Sequence, residues 1–298
     1  MRAYFGPNIA EVFEMILEDL WEDSDFVTSP RGMEVKEIID CSMEIENPML
    51  NIYTNKYRSS PLKYIAAELL CYFSGTKNPT YIEKHASLWK SLHNPDGTVN
   101  SLYGNLLFVE KNEHGLTQYQ WVIESLKKDK DSRQAFMHFN KPYHQWFGNK
   151  DQVCTLQAIF HIRENKLYMT IFMRSGDIIY GFMTDYAFFT ILMQHVYLEL
   201  KETYSKLKIG SYTHITSSMH LYERHYDLVK KMVKTPYFKR EPFKPGSLPL
   251  LNTKILDNVG NILPKYKKIF NQIIQQEPNY NIKKTDNDLL NWCINTLK

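Results

Sequence analysis

Apolar residues recur at spacings of three and four from Ile9 through Val12, Phe13, Ile16, Leu17, Leu20 and Trp21, directly after Asn8. That stripe predicts an amphipathic helix lying on a core and capped by the Asn8 side chain. Ser60 and Pro61 read as the N-cap and first turn of a second helix, Leu62 to about Phe73, closed near Gly75 and apolar except for Glu68 in its middle. A third helix carries Trp121, Val122 and Leu126 into the charge run Lys127 to Asp131. Between Cys154 and Met173 the period becomes two. Leu156, Ala158, Phe160 and Ile162 alternate with more polar neighbours, Arg163 to Lys166 turn, and Leu167, Met169, Ile171 and Met173 alternate again, which predicts a β-hairpin with one buried face. Cys154 shares the parity of the buried set, so its thiol is expected to face the apolar side or a cavity there. From Tyr186 to Leu198 nearly every residue is apolar, the pattern of a helix buried on all sides. After Tyr237 the chain turns rich in Pro, Gly, Asn and Lys before a last helical segment, Asp286 to Leu297. The expected organisation is a main domain over 1–240 with an extension, 241–298, packed on it.

The 298 residues are 43% hydrophobic and 23% charged, the composition of a globular protein with a sizeable core, and argue against disorder or a repeat array. A formal charge of +3 is too mild to imply a nucleic-acid coat or a membrane-binding surface. The Tyr186–Leu198 run falls short of the ~20 residues a membrane helix needs. Glu and Asp interrupt the N-terminal segment where a signal peptide would be apolar, so the protein is expected in the cytoplasm, the host's if it is virus-encoded. Cys41, Cys71, Cys154 and Cys293 are scattered without metal-ligand spacing, and no metal is expected. Patterns for dinucleotide binding, P-loops, zincins and α/β-hydrolases do not occur.

Several polar residues stand in core-like segments: Glu68, Cys154, Arg174, Ser175, Asp177, Asp185, His220 and Tyr222. Each has a plain structural reading. Taken alone, Cys154 reads as an inert small hydrophobe, Asp185 as the N-cap of the buried helix, His220 and Tyr222 as satisfied core polar groups or part of a helix start, and Glu68 as a surface residue. Their order and local sequence change this. The run VCTLQAIFHIRENKLYMTIFMRSGDIIYGFMTDYAFF, followed by SSMHLYERHY and preceded by AELLCYFSG, LWKSLHNPDGTVNSLYG and DSRQAF, resembles the thymidylate synthase superfamily over about 31–237. Cys154-Thr155, Arg174-Ser175-Gly176-Asp177 and Gly181-Phe182-Met183-Thr184-Asp185-Tyr186-Ala187 are most similar to its phage deoxycytidylate hydroxymethylase branch.

The resemblance implies an α+β, two-layer fold: a large mixed β-sheet packed with helices, with two subunits associating sheet to sheet as a homodimer. It implies Cys154 as the nucleophile that adds to pyrimidine C6, Glu68 as the carboxylate that moves protons and places water, and 5,10-methylenetetrahydrofolate as the one-carbon donor. Arg174 with Ser175, and Arg133 from the other subunit, hold the nucleotide phosphate; Gln134 replaces a second arginine of that clamp. Asp177 and Trp89 border the folate, His220 and Tyr222 take the deoxyribose 3′-hydroxyl, and Tyr103 lines the site. Asp185 stands where thymidylate synthases have Asn. Uracil offers an acceptor at position 4 and a donor at N3, which an amide matches; cytosine reverses both, and a carboxylate accepts from its 4-amino group. The expected substrate is therefore dCMP, and the expected activity deoxycytidylate 5-hydroxymethylation. The short apolar C-terminal segment that closes over folate in thymidylate synthases has no match, and incomplete closure would let water capture the methylene. The rivals are a thymidylate synthase, a dUMP hydroxymethylase or dCMP methylase, and a catalytically idle member that binds nucleotide or RNA.

Overall fold

The computed structural model describes residues 1–233, 242–275 and 282–298. In chain order its elements begin with β1 (Arg2–Gly6), α1 (Ile9–Glu22), β2 (Phe26–Thr28), β3 (Val35–Ile45), β4 (Ile52–Thr54), α2 (Leu62–Ser74), α3 (Thr80–Glu83) and α4 (Leu88–Ser91). There follow α5 (Tyr103–Phe108), α6 (Gln118–Lys128), β5 (Phe136–His138), β6 (Thr155–Arg163), β7 (Lys166–Met173) and β8 (Gly176–Asp177). The last are α7 (Gly181–Lys201), β9 (Lys208–Tyr222), α8 (Tyr226–Val233), β10 (Lys244–Gly246), α9 (Pro264–Ile274) and α10 (Asp288–Leu297). The fold is α+β. The chain forms two units, each assembled from separate stretches: 1–61, 168–190 and 210–248 in the first, 62–167, 191–209 and 249–298 in the second. The boundary expected at 240/241 lies outside the described residues.

The first unit is built on a mixed sheet in the order β1-β3-β9-β7. β1 runs parallel to β3, whereas β2 and β9 pair with β3 antiparallel. The short strand β8 joins β9 in parallel and sets Asp177 opposite His220. Helix α1 forms as the pattern predicts: Asn8 Oδ1 accepts from the Ala10 and Glu11 N–H groups, and Ile9, Val12, Phe13, Ile16, Leu17 and Leu20 are fully buried. It packs on β1 and β3, and Phe13 stacks on Tyr53 at 4.6 Å. Ser60 does not cap a helix through its hydroxyl; its Oγ accepts from the Tyr53 N–H and ties the chain to β4 instead.

In the second unit, α2, α5, α6, α9 and α10 form a helical layer, with α2 in contact with α5, α9 and α10, and the pair β5–β6 packs beside α6. Gly104 sets how closely α5 meets α2. A Cβ there would lie 1.7 Å from the Tyr72 carbonyl oxygen, so no larger residue fits between the two backbones. Glu164 and Asn165 join β6 to β7, and their φ angles of 48° and 59° belong to a two-residue hairpin turn. The alternation holds from Ala158 to Met173, but not at the start of β6. Leu156 is exposed and Thr155 fully buried, because the Thr155 hydroxyl is drawn inward to Tyr103. Helix α7 is apolar on nearly every side, as expected, and starts earlier than expected, at Gly181.

Candidate active site

Five expected residues lie in the second unit. Glu68 sits on α2 and is 5% exposed, which rules out its reading as a surface residue. Its Oε1 accepts from the Tyr64 hydroxyl at 2.8 Å and the Tyr72 hydroxyl at 3.2 Å, the residues one helical turn to either side. Trp89 is buried on α4 and donates its indole N–H to the Tyr64 oxygen at 2.9 Å. On the other side the Tyr72 ring stacks on Tyr103 with centroids 5.2 Å apart, and the Tyr103 hydroxyl meets Thr155 Oγ1 at 2.9 Å. Thr155 follows Cys154 directly. Trp89, Glu68, Tyr103 and the strand that begins beside Cys154 are thus joined by one run of hydrogen bonds and a ring stack.

Cys154 itself is half-buried, with Sγ 3.9 Å from the Gln152 carbonyl oxygen. The backbone before it is fixed from two sides. Asp151 accepts from the backbone N–H groups of Asn100 and Ser101 at 2.6 and 2.7 Å, and Asn140 donates to the Val153 carbonyl at 3.1 Å. A side chain on so braced a segment has little backbone freedom left to lose. Burial pushes the Glu68 carboxyl up to about 7, against the pull of the two tyrosine hydrogen bonds, which favour the ion. A carboxyl poised there is able both to give and to take a proton near neutrality. Arg133 is exposed in the loop between α6 and β5, beside Gln134.

The other six lie in the first unit. Arg174 and Ser175 are half-buried in the turn from β7 to β8. Asp177 Oδ1 accepts from the Ile179 and Tyr180 N–H groups at 2.9 and 3.2 Å, which holds the chain as it enters α7. Asp185 stands inside the second turn of α7, not ahead of it, so the N-cap reading fails. Gly181 lies beside it: a Cβ there would sit 3.6 Å from Asp185 Oδ2 and 3.9 Å from Asp177 Cβ, ordinary contact distances that place both carboxylate side chains against the start of α7. His220 and Tyr222 end strand β9, on its inner and half-buried positions, with their rings edge to face at 4.9 Å. Burial lowers the His220 pKa, partly offset by Asp177, so the imidazole is biased toward the neutral form. Arg224 lies over the Tyr222 ring at 4.0 Å and reaches Asp177 at 3.5 Å.

Residue-by-residue reasoning missed Tyr64, Tyr72, Asp151 and Arg224. The spacing of four in Tyr64–Glu68–Tyr72 is a readable signal, since residues four apart share a helix face. Asp151 and Arg224 carry none. Among the described residues no group of three or more His, Cys, Asp or Glu side chains is arranged to hold a metal ion, and no helix is long and apolar enough to cross a membrane.

The family model described as thymidylate synthase matches residues 11–289, extending past both ends of the 31–237 stretch that carries the motifs. The deoxycytidylate 5-hydroxymethyltransferase of Enterobacteria phage T4 is 29% identical over 221 residues, covering 72% of this chain and 86% of the phage protein. The deoxyuridylate hydroxymethyltransferase of Bacillus phage SP01 is 27% identical over 74% of this chain and 59% of its own length. A putative thymidylate synthase of Methanocaldococcus jannaschii is 27% identical over 76% of this chain and 93% of its own.

Proposed function

The chain belongs to the thymidylate synthase family, whose members are one-carbon transferases that act on pyrimidine nucleotides, and from that premise we propose that it is a deoxycytidylate 5-hydroxymethylase. On this reading dCMP, 5,10-methylenetetrahydrofolate and water give 5-hydroxymethyl-dCMP and tetrahydrofolate. Asp185 is the observation that carries the choice of base. Its half-buried carboxylate on α7 offers acceptors to the 4-amino group of cytosine and repels the 4-carbonyl of uracil. A well-placed contact of this kind discriminates by ~1–3 kcal/mol.

Methylenetetrahydrofolate, when bound, supplies a carbon at the oxidation level of formaldehyde. The first unit holds side chains that suit such a ligand: the Asp177 carboxylate, and the exposed Tyr180 ring flanked by the Arg58 and Arg224 guanidinium groups at 4.9 and 5.7 Å, fit a flat heteroaromatic ring with an acidic tail. Cys154, as the thiolate, forms the bond to C6 and makes C5 nucleophilic. Glu68 accepts and returns protons at the ring and orients water, which adds to the exocyclic methylene before the Cys154–C6 bond breaks. Arg174 and Ser175 hold the phosphate, together with Arg133, whose exposure suits a role in a second subunit's site. That role makes a homodimer the active form. His220 and Tyr222 hold the sugar, and Trp89 and Tyr103 wall the site. The phage relatives fit a virus-encoded enzyme working in the host cytoplasm.

Parallel assays of dCMP and dUMP with methylenetetrahydrofolate, with products identified by mass, test the proposal. Hydroxymethyl-dCMP without dihydrofolate is expected. Formation of dTMP with dihydrofolate, or a preference for dUMP as the phage SP01 relative's name suggests, would overturn it.

A further inference from the structure

Glu68 is held in a way that its expected role alone does not require. Two phenolic hydroxyls converge on one of its oxygens, Oε1, from positions four residues before and four after it on α2. Oε2 takes part in neither bond. The direction of the first bond follows from the donors available: the Trp89 indole N–H can only donate, so it occupies an acceptor position on the Tyr64 oxygen and the Tyr64 proton points to Glu68. The second hydroxyl is set by packing. The Tyr72 ring stacks on Tyr103, and the absence of a side chain at Gly104 lets α5 come close enough for that contact.

We propose that Tyr64 and Tyr72 are positioning residues that act through Glu68, aiming its second oxygen at the reacting nucleotide and biasing the carboxyl toward its charged form. The inference rests on the reading of Glu68 as the carboxylate of the site. A buried carboxylate with no donors would rest protonated and free to change rotamer; two O–H donors on one oxygen oppose both. Other titratable groups are Cys71 on α2 itself, Tyr81 and Glu83 on α3, Tyr103 on α5, Lys265, Tyr266, Lys267 and Lys268 on α9, and Asp288 and Cys293 on α10. The two tyrosine hydroxyls are the groups bonded to the Glu68 carboxyl, and both oppose the effect of its burial, so removing either acts on that carboxyl directly.

The test is the pH dependence of kcat/KM for Tyr64→Phe and Tyr72→Phe beside the unaltered enzyme. Tyr64→Phe is expected to move the limb that Glu68 governs upward by about one pH unit, a tenfold change in rate on its sloping side, and Tyr72→Phe, which loses the longer bond, by less. The limb moves upward whether the charged or the neutral carboxyl is the working form. A uniform loss of rate with the limb in place would overturn the inference and leave the tyrosines as packing. Infrared titration of the carboxyl band that disappears in Glu68→Gln reads the same change without turnover. If neither dCMP nor dUMP is converted, the proposed function fails, while a raised midpoint of that band in Tyr64→Phe would still support the inference and an unchanged one would overturn it.

Discussion

Replacing Glu68 by Gln tests the electrostatic account of the site through stability as well as rate. The carboxyl is 5% exposed and its pKa is raised to about 7 from 4.5. Below pH 4.5 it is protonated in folded and unfolded chains alike and imposes no penalty. As the pH rises toward 7 the unfolded chain releases its proton first, so the folded state loses stability until both forms are ionised. That penalty is about 0.8 kcal/mol at pH 5 and grows to about 3 kcal/mol at pH 8, taking about 1.4 kcal/mol for each tenfold difference in proton affinity between the two states. Gln keeps an oxygen for the tyrosine donors and carries no charge. Glu68→Gln is therefore expected to raise unfolding free energy at pH 8 by about 2 kcal/mol more than at pH 5, while turnover falls. Urea denaturation of both proteins at the two pH values measures the difference. Equal effects at pH 5 and pH 8 would show that the carboxyl is not the source, and that it ionises in the folded chain as it does in water.

Three further outcomes follow from the site and its frame. Cys154→Ala is expected to lose turnover below detection while still binding dCMP in calorimetry, because only the thiolate can form the bond to C6; retained turnover would remove the mechanism. Asp185→Asn is expected to shift the dCMP to dUMP ratio of kcat/KM toward dUMP by about 5- to 150-fold, the range of one well-placed contact, in competition assays with both nucleotides; an unchanged ratio would put base choice elsewhere. Gly104→Ala is expected to destabilise the protein by about 3 kcal/mol or more, since the added methyl meets backbone that cannot give way, as read from the urea midpoint.

Local periodicity by itself determined α1, α2, α6 and α7 and most of the strands β6 and β7, because each depends on residues within a few positions of one another. The Asn8 cap and the buried stripe behind it are such a case. The order of the motifs along the chain likewise marks Cys154, Glu68, Arg174 and Asp185 as candidates. Where reading failed, a distant partner decided. Thr155 turns inward, against the alternation of its own strand, because Tyr103, 52 residues earlier, takes its hydroxyl. Ser60 serves β4 rather than a helix start. Asp151 braces the segment before Cys154 against Asn100 and Ser101, and Gly104 is needed only because α2 passes against it. The burial that turns Glu68 from a helix residue into a carboxyl titrating near neutrality is a property of the packed unit. Spacing along the chain decides which side chains share a face; how much water they keep, and which distant groups complete their hydrogen bonds, is decided only when the helices and strands pack.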